Sequence, residues 1–152
     1  IKSYIDLPSS LKNKSELLIV GDGILKKDLI KKYKNENIIF KGFVNQNKLS
    51  YYYNNCDIFI LPSEDENWGL VINEVMNFKK PILSSSVVGC NLDLVKNNLN
   101  GIIFKNNNKN DLVKKLKSCF NKKKLKNYGN HSFKIINEWN IDKAVKQFNK
   151  IL

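Results

Sequence analysis

Two carboxylates eight positions apart, Glu66 and Glu74, bracket a Trp68-Gly69 turn in the stretch PSEDENWGLVINEVMNFKKP, residues 62–81. Glu66 lies in an acidic loop, residues 63–67. Glu74 falls about one turn inside a helix expected over residues 70–78, where Val71, Val75 and Phe78 recur at the i, i+4, i+7 spacing of a buried stripe. Helical side chains lean toward the N-terminus of their helix, so Glu74 is expected to point back to the mouth where Glu66 sits. Between the two lie the first N–H groups of the helix, which have no partner inside it and favour an anion. A diphosphate at those N–H groups, with a carboxylate on each side to accept from sugar hydroxyls, is a chemically complete nucleotide-sugar site.

The elements that must hold this stretch alternate between strand and helix. The opening, residues 1–11, reads as a helix fragment kinked or ended by Pro8. ELLIV (16–20) is a strand, followed by Gly21-Asp22-Gly23 and a helix over 24–34 with Leu25, Leu29 and Ile30 at helical spacing. NIIF (37–40) is the next strand, then Gly42-Phe43-Val44 and a helix over 45–54. DIFIL (57–61) leads into the acidic loop, PILS (81–84) follows the central helix, and Val88-Gly89-Cys90-Asn91 opens a short helix to Val95. GIIFK (101–105) is the last strand, and three helices follow, over 111–120, 122–139 and 141–152. This pattern predicts one α/β domain: a Rossmann-like parallel sheet with helices on both faces and a helical C-terminal tail. Ligands of such sheets bind outside the carboxyl ends of the strands, and Gly21, Gly42-Phe43, the 63–69 loop and Gly89 all follow strands.

The central stretch resembles the signature of glycosyltransferase family 4, the group 1 glycosyltransferases of GT-B fold. Pro62-Ser63 stands at a strand end, Glu66 and Glu74 fit a Glu-x7-Glu spacing, Trp68-Gly69-Leu70-Val71 fits the turn, and Pro81 is in register. Gly21-Asp22-Gly23 is similar to a turn common in that family, although a tight turn needing positive φ explains Gly21 equally well. Trp139 near the end is similar to the family's closing segment. The resemblance implies a retaining, metal-independent transferase in which Glu66 binds the donor sugar near the reacting centre and Glu74 takes the ribose hydroxyls. It implies that Leu70 and Val71 offer main-chain N–H groups to phosphate, and that Phe43 and Val44 offer main-chain groups to the nucleobase. Gly21, Asn67, Trp68 and Gly69 complete the implied donor site. An Arg and a Lys that the family uses to clasp the diphosphate, the first strand, and an acceptor-binding N-terminal domain are not in this sequence. The chain is therefore expected to be the donor-binding, C-terminal part of a longer two-domain protein, weak in binding and poor in catalysis alone. A GT-B nucleotide-sugar epimerase and a non-catalytic nucleotide-binding module are the other readings of the same residues.

The remaining residues exclude more than they assign. No Asp-x-Asp stands ready to hold a divalent ion on a diphosphate, and the resemblance implies no cofactor beyond the donor substrate. Cys56, Cys90 and Cys119 have neither metal-ligand spacing nor a disulfide framework, and reduced thiols fit a cytoplasmic protein. His131, the sole histidine, has no partner acid or base in view and reads as a packing or surface residue. The net charge is +12, with lysine as every cation. Lysines spread along the chain without interleaved stacking aromatics argue against specific nucleic-acid binding and leave weak contact with an anionic membrane surface, at its inner face, as an expectation. No apolar run approaches the length of a membrane span. The expected partners are a nucleotide-sugar donor and, through the absent domain, a glycan or lipid-linked acceptor of cell-surface polysaccharide synthesis.

Overall fold

The structure is a computed structural model describing residues 1–140 together with Lys143, Val145 and Asn149. The helix expected over 141–152 lies outside the described residues but for those three positions. In order, the chain forms α1 (Lys2–Ile5), α2 (Ser9–Lys12), β1 (Leu17–Val20), α3 (Lys26–Tyr33), β2 (Ile38–Gly42) and α4 (Gln46–Asn55). There follow β3 (Phe59–Leu61), α5 (Leu70–Met76), β4 (Ile82–Ser85), a 3₁₀ turn (Gly89–Asn91), β5 (Gly101–Phe104), α6 (Lys109–Ser118) and α7 (Lys122–Glu138). Pro8 stands at the boundary between α1 and α2, where a residue without an N–H ends one helix and opens the next.

Every strand pairing is parallel, as crossovers through helices require. The strands form two ladders rather than the single sheet expected: β1–β2, and β3–β4–β5. Their registers place Leu17 beside Ile38, Phe59 beside Ile82, and Ile82 beside Gly101. Alternation along the strands divides the core in two. Ile82, Phe59 and Leu61 face Tyr53 of α4, Ile72, Val75 and Met76 of α5, and Ile136 of α7. Leu83, Ile60, Ile102 and Phe104 face Tyr4, Leu116 of α6 and Tyr128 of α7, and Leu17 and Ile38 of the other ladder join this side. Helices thus cover both faces, and the α/β class expected from the sequence is the observed one.

Two local expectations are corrected. The fully buried stripe of α5 is Ile72, Val75 and Met76, with Val71 and Phe78 half-buried at its margin. Apolar spacing permits both stripes, and the packing partners of α5 select one. The helix expected from residue 88 to Val95 is a single 3₁₀ turn. Buried Asn91 is held there by Ser84, whose Oγ donates to Asn91 Oδ1 (2.6 Å), and by its own Nδ2 donating to the Ser85 carbonyl (2.7 Å). Such side-chain bonds compete with continued helix. Ser84, inside the expected strand, and Ser85 after it are fully buried and bonded to Asn91 and Asn106.

Candidate functional site

The loop from Ser63 to Gly69 is sewn onto the turn that follows β4. Gly89 N donates to the Glu66 carbonyl and Cys90 N to the Trp68 carbonyl, each at 3.0 Å. Glu66 and Val88 form an isolated parallel bridge. A Cβ on Gly89 would overlap the carbonyl oxygen of Asn67, so only glycine permits this approach. Gly69, at φ 93°, takes the left-handed conformation that turns the loop into α5, with Val88 Cγ1 and Leu61 Cδ2 crowding any side chain there. Trp68 turns its ring inward: Nε1 donates to Asn73 Oδ1 (3.1 Å), and the ring packs on Trp139 with centroids 5.7 Å apart.

On this frame the two carboxylates have different surroundings. Glu74 is fixed from outside its helix, because the Tyr53 hydroxyl on α4 donates to Glu74 Oε2 at 2.9 Å. Burial and the adjacent Glu74 carboxylate push the Tyr53 phenol well above its ordinary range. Glu66 is half-buried, and among the described residues its carboxylate makes no hydrogen bond or ion pair. Glu74 makes no ion pair there either. The Cys90 thiol is pushed up to about 11, first by burial and also by the charge of Glu66. Among the described residues the N–H groups of Leu70 and Val71 donate to no protein acceptor, while Ile72 N already closes on the Gly69 carbonyl (2.8 Å). The arrangement offers two acceptors and two donors to a ligand carrying both hydroxyls and negative charge.

The β1–β2 ladder supplies the rest of the rim. Gly21, at φ 133°, donates its N–H to the Gly42 carbonyl at 2.8 Å, and Gly42 has φ 72°. The positive φ expected of Gly21 is present, and its N–H extends the ladder to β2 instead of closing a tight turn. Phe43 follows Gly42 and is 76% exposed rather than packed, and Val44 beside it is half-buried. Asp22 is bound to Lys26 (2.7 Å) and Gly23 N, and these bonds hold its carboxyl below the usual range. Exposed Ile24 and Leu25 give this edge an apolar character.

The site residues expected from the sequence thus fall into two groups at the carboxyl ends of strands. Glu66, Asn67, Trp68, Gly69, Leu70, Val71 and Glu74 form one continuous unit; Gly21, Phe43 and Val44 form another, following the second ladder. Among the described residues no hydrogen bond joins them. Two concavities lie elsewhere, one along α7 and one near Tyr4 and Asn37. No group of three His, Cys, Asp or Glu side chains among the described residues could hold a metal ion. His131 Nδ1 lies 2.9 Å from the Asn127 carbonyl, a local contact within α7.

Sequence reasoning missed Tyr53 and Asn73 as parts of this unit; it placed Gly89 on the rim, without the bond that ties it to the Glu66 loop. Tyr53 was legible as one apolar position of α4. The signal that could have found its role is that a buried tyrosine hydroxyl needs a partner.

A family model described as glycosyl transferases group 1 matches residues 1–134. The chain is 28% identical to a sulfoquinovosyl transferase of Arabidopsis thaliana over 78% of its own length and 24% of that protein. It is 34% identical to an uncharacterized glycosyltransferase of Methanocaldococcus jannaschii over 99% of its length and 40% of the relative. Its fold superposes on an Anabaena protein, HepE, solved with UDP and glucose, at TM-score 0.78 and 19% identity, covering 99% of this chain and 43% of that one. The chain spans about a quarter to two fifths of the length of these proteins. The parallel ladders clothed in helices, the Glu66-to-Glu74 turn and a match running over most of the sequence agree on one assignment: this chain belongs to the group 1 glycosyl transferases.

Proposed function

We propose that this chain is the donor-binding domain of a retaining, metal-independent glycosyltransferase, taking a nucleoside diphosphate sugar for transfer to a polysaccharide or lipid-linked acceptor. One observation carries the reading: in a member of this family, Glu66 and Glu74 flank the left-handed Gly69 turn and neither carboxylate is spent on an ion pair among the described residues. Glu66 accepts from donor-sugar hydroxyls near the reacting centre. Glu74, oriented by Tyr53, accepts from the ribose hydroxyls. The Leu70 and Val71 amides donate to the diphosphate. Gly21 lets the donor approach the backbone, and the main-chain groups of Phe43 and Val44 meet the base. Asn67 and Trp68 shape the loop that carries Glu66. The HepE structure with UDP and glucose supports a nucleotide sugar as the ligand class.

The split sheet supports a larger whole. In each ladder the strand at one end, β1 or β3, pairs along one edge only, and the two ladders already share a core around Leu17, Ile60 and Leu83. One further parallel strand, together with an acceptor-binding domain, completes the protein in this proposal, and the enzyme works in the cytoplasm. Charge stabilisation of the departing diphosphate then falls to amides and to cations, some supplied from outside residues 1–152. This domain alone binds nucleotide weakly and turns over little.

Calorimetric titration with uridine, guanosine and adenosine diphosphates tests the site. Glu74→Ala is expected to weaken nucleotide binding, and Glu66→Ala to lower turnover of the full-length enzyme with little change in nucleotide affinity. Negligible effects from both substitutions overturn the assignment.

A further inference from the structure

Lysines occur along the whole chain, but the net positive charge is concentrated where no acid accompanies them. Residues 112–137 contain eight lysines and no Asp or Glu, so this sixth of the chain carries +8 of the net +12. Among the described residues none of those lysines is in an ion pair, whereas Lys12, Lys26, Lys109 and Lys143 each have a carboxylate. The concentration is highest on α7. Lys122, Lys123 and Lys126 are exposed in its first turns, and Lys134 further along. Lys122, Lys126, Asn130 and Lys134 recur every fourth residue, a single stripe about 18 Å long at the helical rise. Beside it runs an open groove of about 480 Å³ lined by Asn121, Lys123, Lys124, Lys126, Asn127 and Asn130, all positions bearing side-chain N–H donors.

This arrangement opposes the stability of its own helix. Lysines in a first turn face the positive end of the helix dipole, and Lys122 and Lys126 repel each other at i, i+4. The neighbouring α6 has Asp111 in its first turn, as helix stability favours, while α7 has no acid there. A local choice that works against the element containing it points to a demand from outside the fold.

We propose that the lysine face of α7 docks this protein on an anionic lipid bilayer. The charges are complementary to a phospholipid surface, and lysine, a point charge on a flexible stem, suits a partner without fixed geometry. Nucleic acid is the less favoured polyanion, because the aromatics of this segment are not free for base stacking. Tyr128 is buried under the Lys124 ammonium (5.3 Å), Phe133 is half-buried beneath Lys79 (5.0 Å), and Phe120 packs into the core. The docking is electrostatic and stands independently of the transferase reading.

The test is co-sedimentation of the full chain with phosphatidylcholine vesicles, with and without about 30% phosphatidylglycerol, in low and high salt. Binding is expected only to the anionic vesicles and is lost in high salt. The triple variant Lys123→Gln, Lys126→Gln, Lys134→Gln is expected to bind at least about tenfold more weakly. Lys27→Gln, Lys31→Gln, Lys34→Gln, which removes the same charge from exposed positions around α3, is expected to change binding less than about twofold. The three α7 lysines replaced by Arg keep the charge and retain binding, a control independent of any folding loss in the Gln variant. Equal losses in the two Gln variants, loss in the Arg variant, or no preference for anionic vesicles overturns the proposal. So does a single-stranded RNA oligomer that displaces the protein from vesicles at equal phosphate concentration. Nucleotide titrations of the same variants separate failure here from failure of the donor site.

Discussion

The two ladders of this protein are built to different standards. In β3–β4–β5 the middle strand is inaccessible at every position, Ile82 through Ser85, and its neighbours on both faces are buried helices and strands. In β1–β2 the only fully buried position is Gly42, and α3, which covers it, has no buried residue at all. The first ladder has strands on both edges of β4 and apolar helices above and below. The second is a pair of strands covered by the exposed α3, with Leu17 and Ile38 reaching the shared core. The Glu66-to-Glu74 unit rises from the well-packed ladder, where its geometry is over-determined, while Gly21 and Phe43 sit on the looser one. In the proposed reading, that difference puts the carboxylates on the better-packed ladder and the base contacts on the looser one.

Core truncations test the comparison most severely. Leu83→Ala in β4 is expected to cost about 2–5 kcal/mol, and Leu29→Ala in α3 under about 1 kcal/mol, both read from urea unfolding of the same chain. Comparable costs in the two would erase the contrast. Next in size is Glu74→Ala, which removes an acceptor for charged hydrogen bonding and is expected to weaken nucleoside diphosphate binding by about tenfold to a hundredfold. Phe43→Ala, on the looser ladder, is expected to change that affinity by less than about threefold, since its proposed contribution is through the main chain. Calorimetry with the best-binding diphosphate separates these two outcomes.

Tyr53→Phe probes the link from α4 to Glu74. Removing one neutral donor to a carboxylate should weaken nucleotide affinity by about threefold to tenfold with turnover in the full-length enzyme little changed. An unchanged affinity would mean that the bond only packs α4 against α5. The smallest effect concerns the thiols. Cys90 and Cys119 are pushed up to about 11 by burial, from an ordinary value of 9.0. The unfolded chain therefore loses these protons first as pH rises. Their contribution to stability is complete below about pH 9 and declines between about 9 and 11. Urea midpoints across that window, in the parent and in Cys119→Ala, check the sign; a midpoint rising with pH would contradict it.

Much of this was legible beforehand because it is local. Strands ending at or just before Gly21, Gly42 and Pro62, and helices between them, follow from apolar periodicity and turn residues, and these suffice for an α/β class. The Glu66…Glu74 spacing is likewise a property of the chain. The register of the α5 stripe, the 3₁₀ turn in place of a helix at Gly89–Asn91, and the inward rotation of Trp68 were not legible. The stripe depends on α7 and Trp68 on Trp139, partners far along the sequence, while Asn91 depends on side-chain bonds to Ser84 and Ser85 that no apolar periodicity reports.

The sequence by itself determined the order of the elements and the two acidic residues flanking a glycine, since periodicity and spacing are written in neighbouring residues. Only the tertiary structure decided that the strands form two ladders, that Tyr53 holds Glu74, and that Gly89 anchors the loop of Glu66. The physical reason is range. A hydrogen bond or a buried contact between residues twenty positions apart depends on which surfaces meet, and that is settled by packing rather than by any local preference.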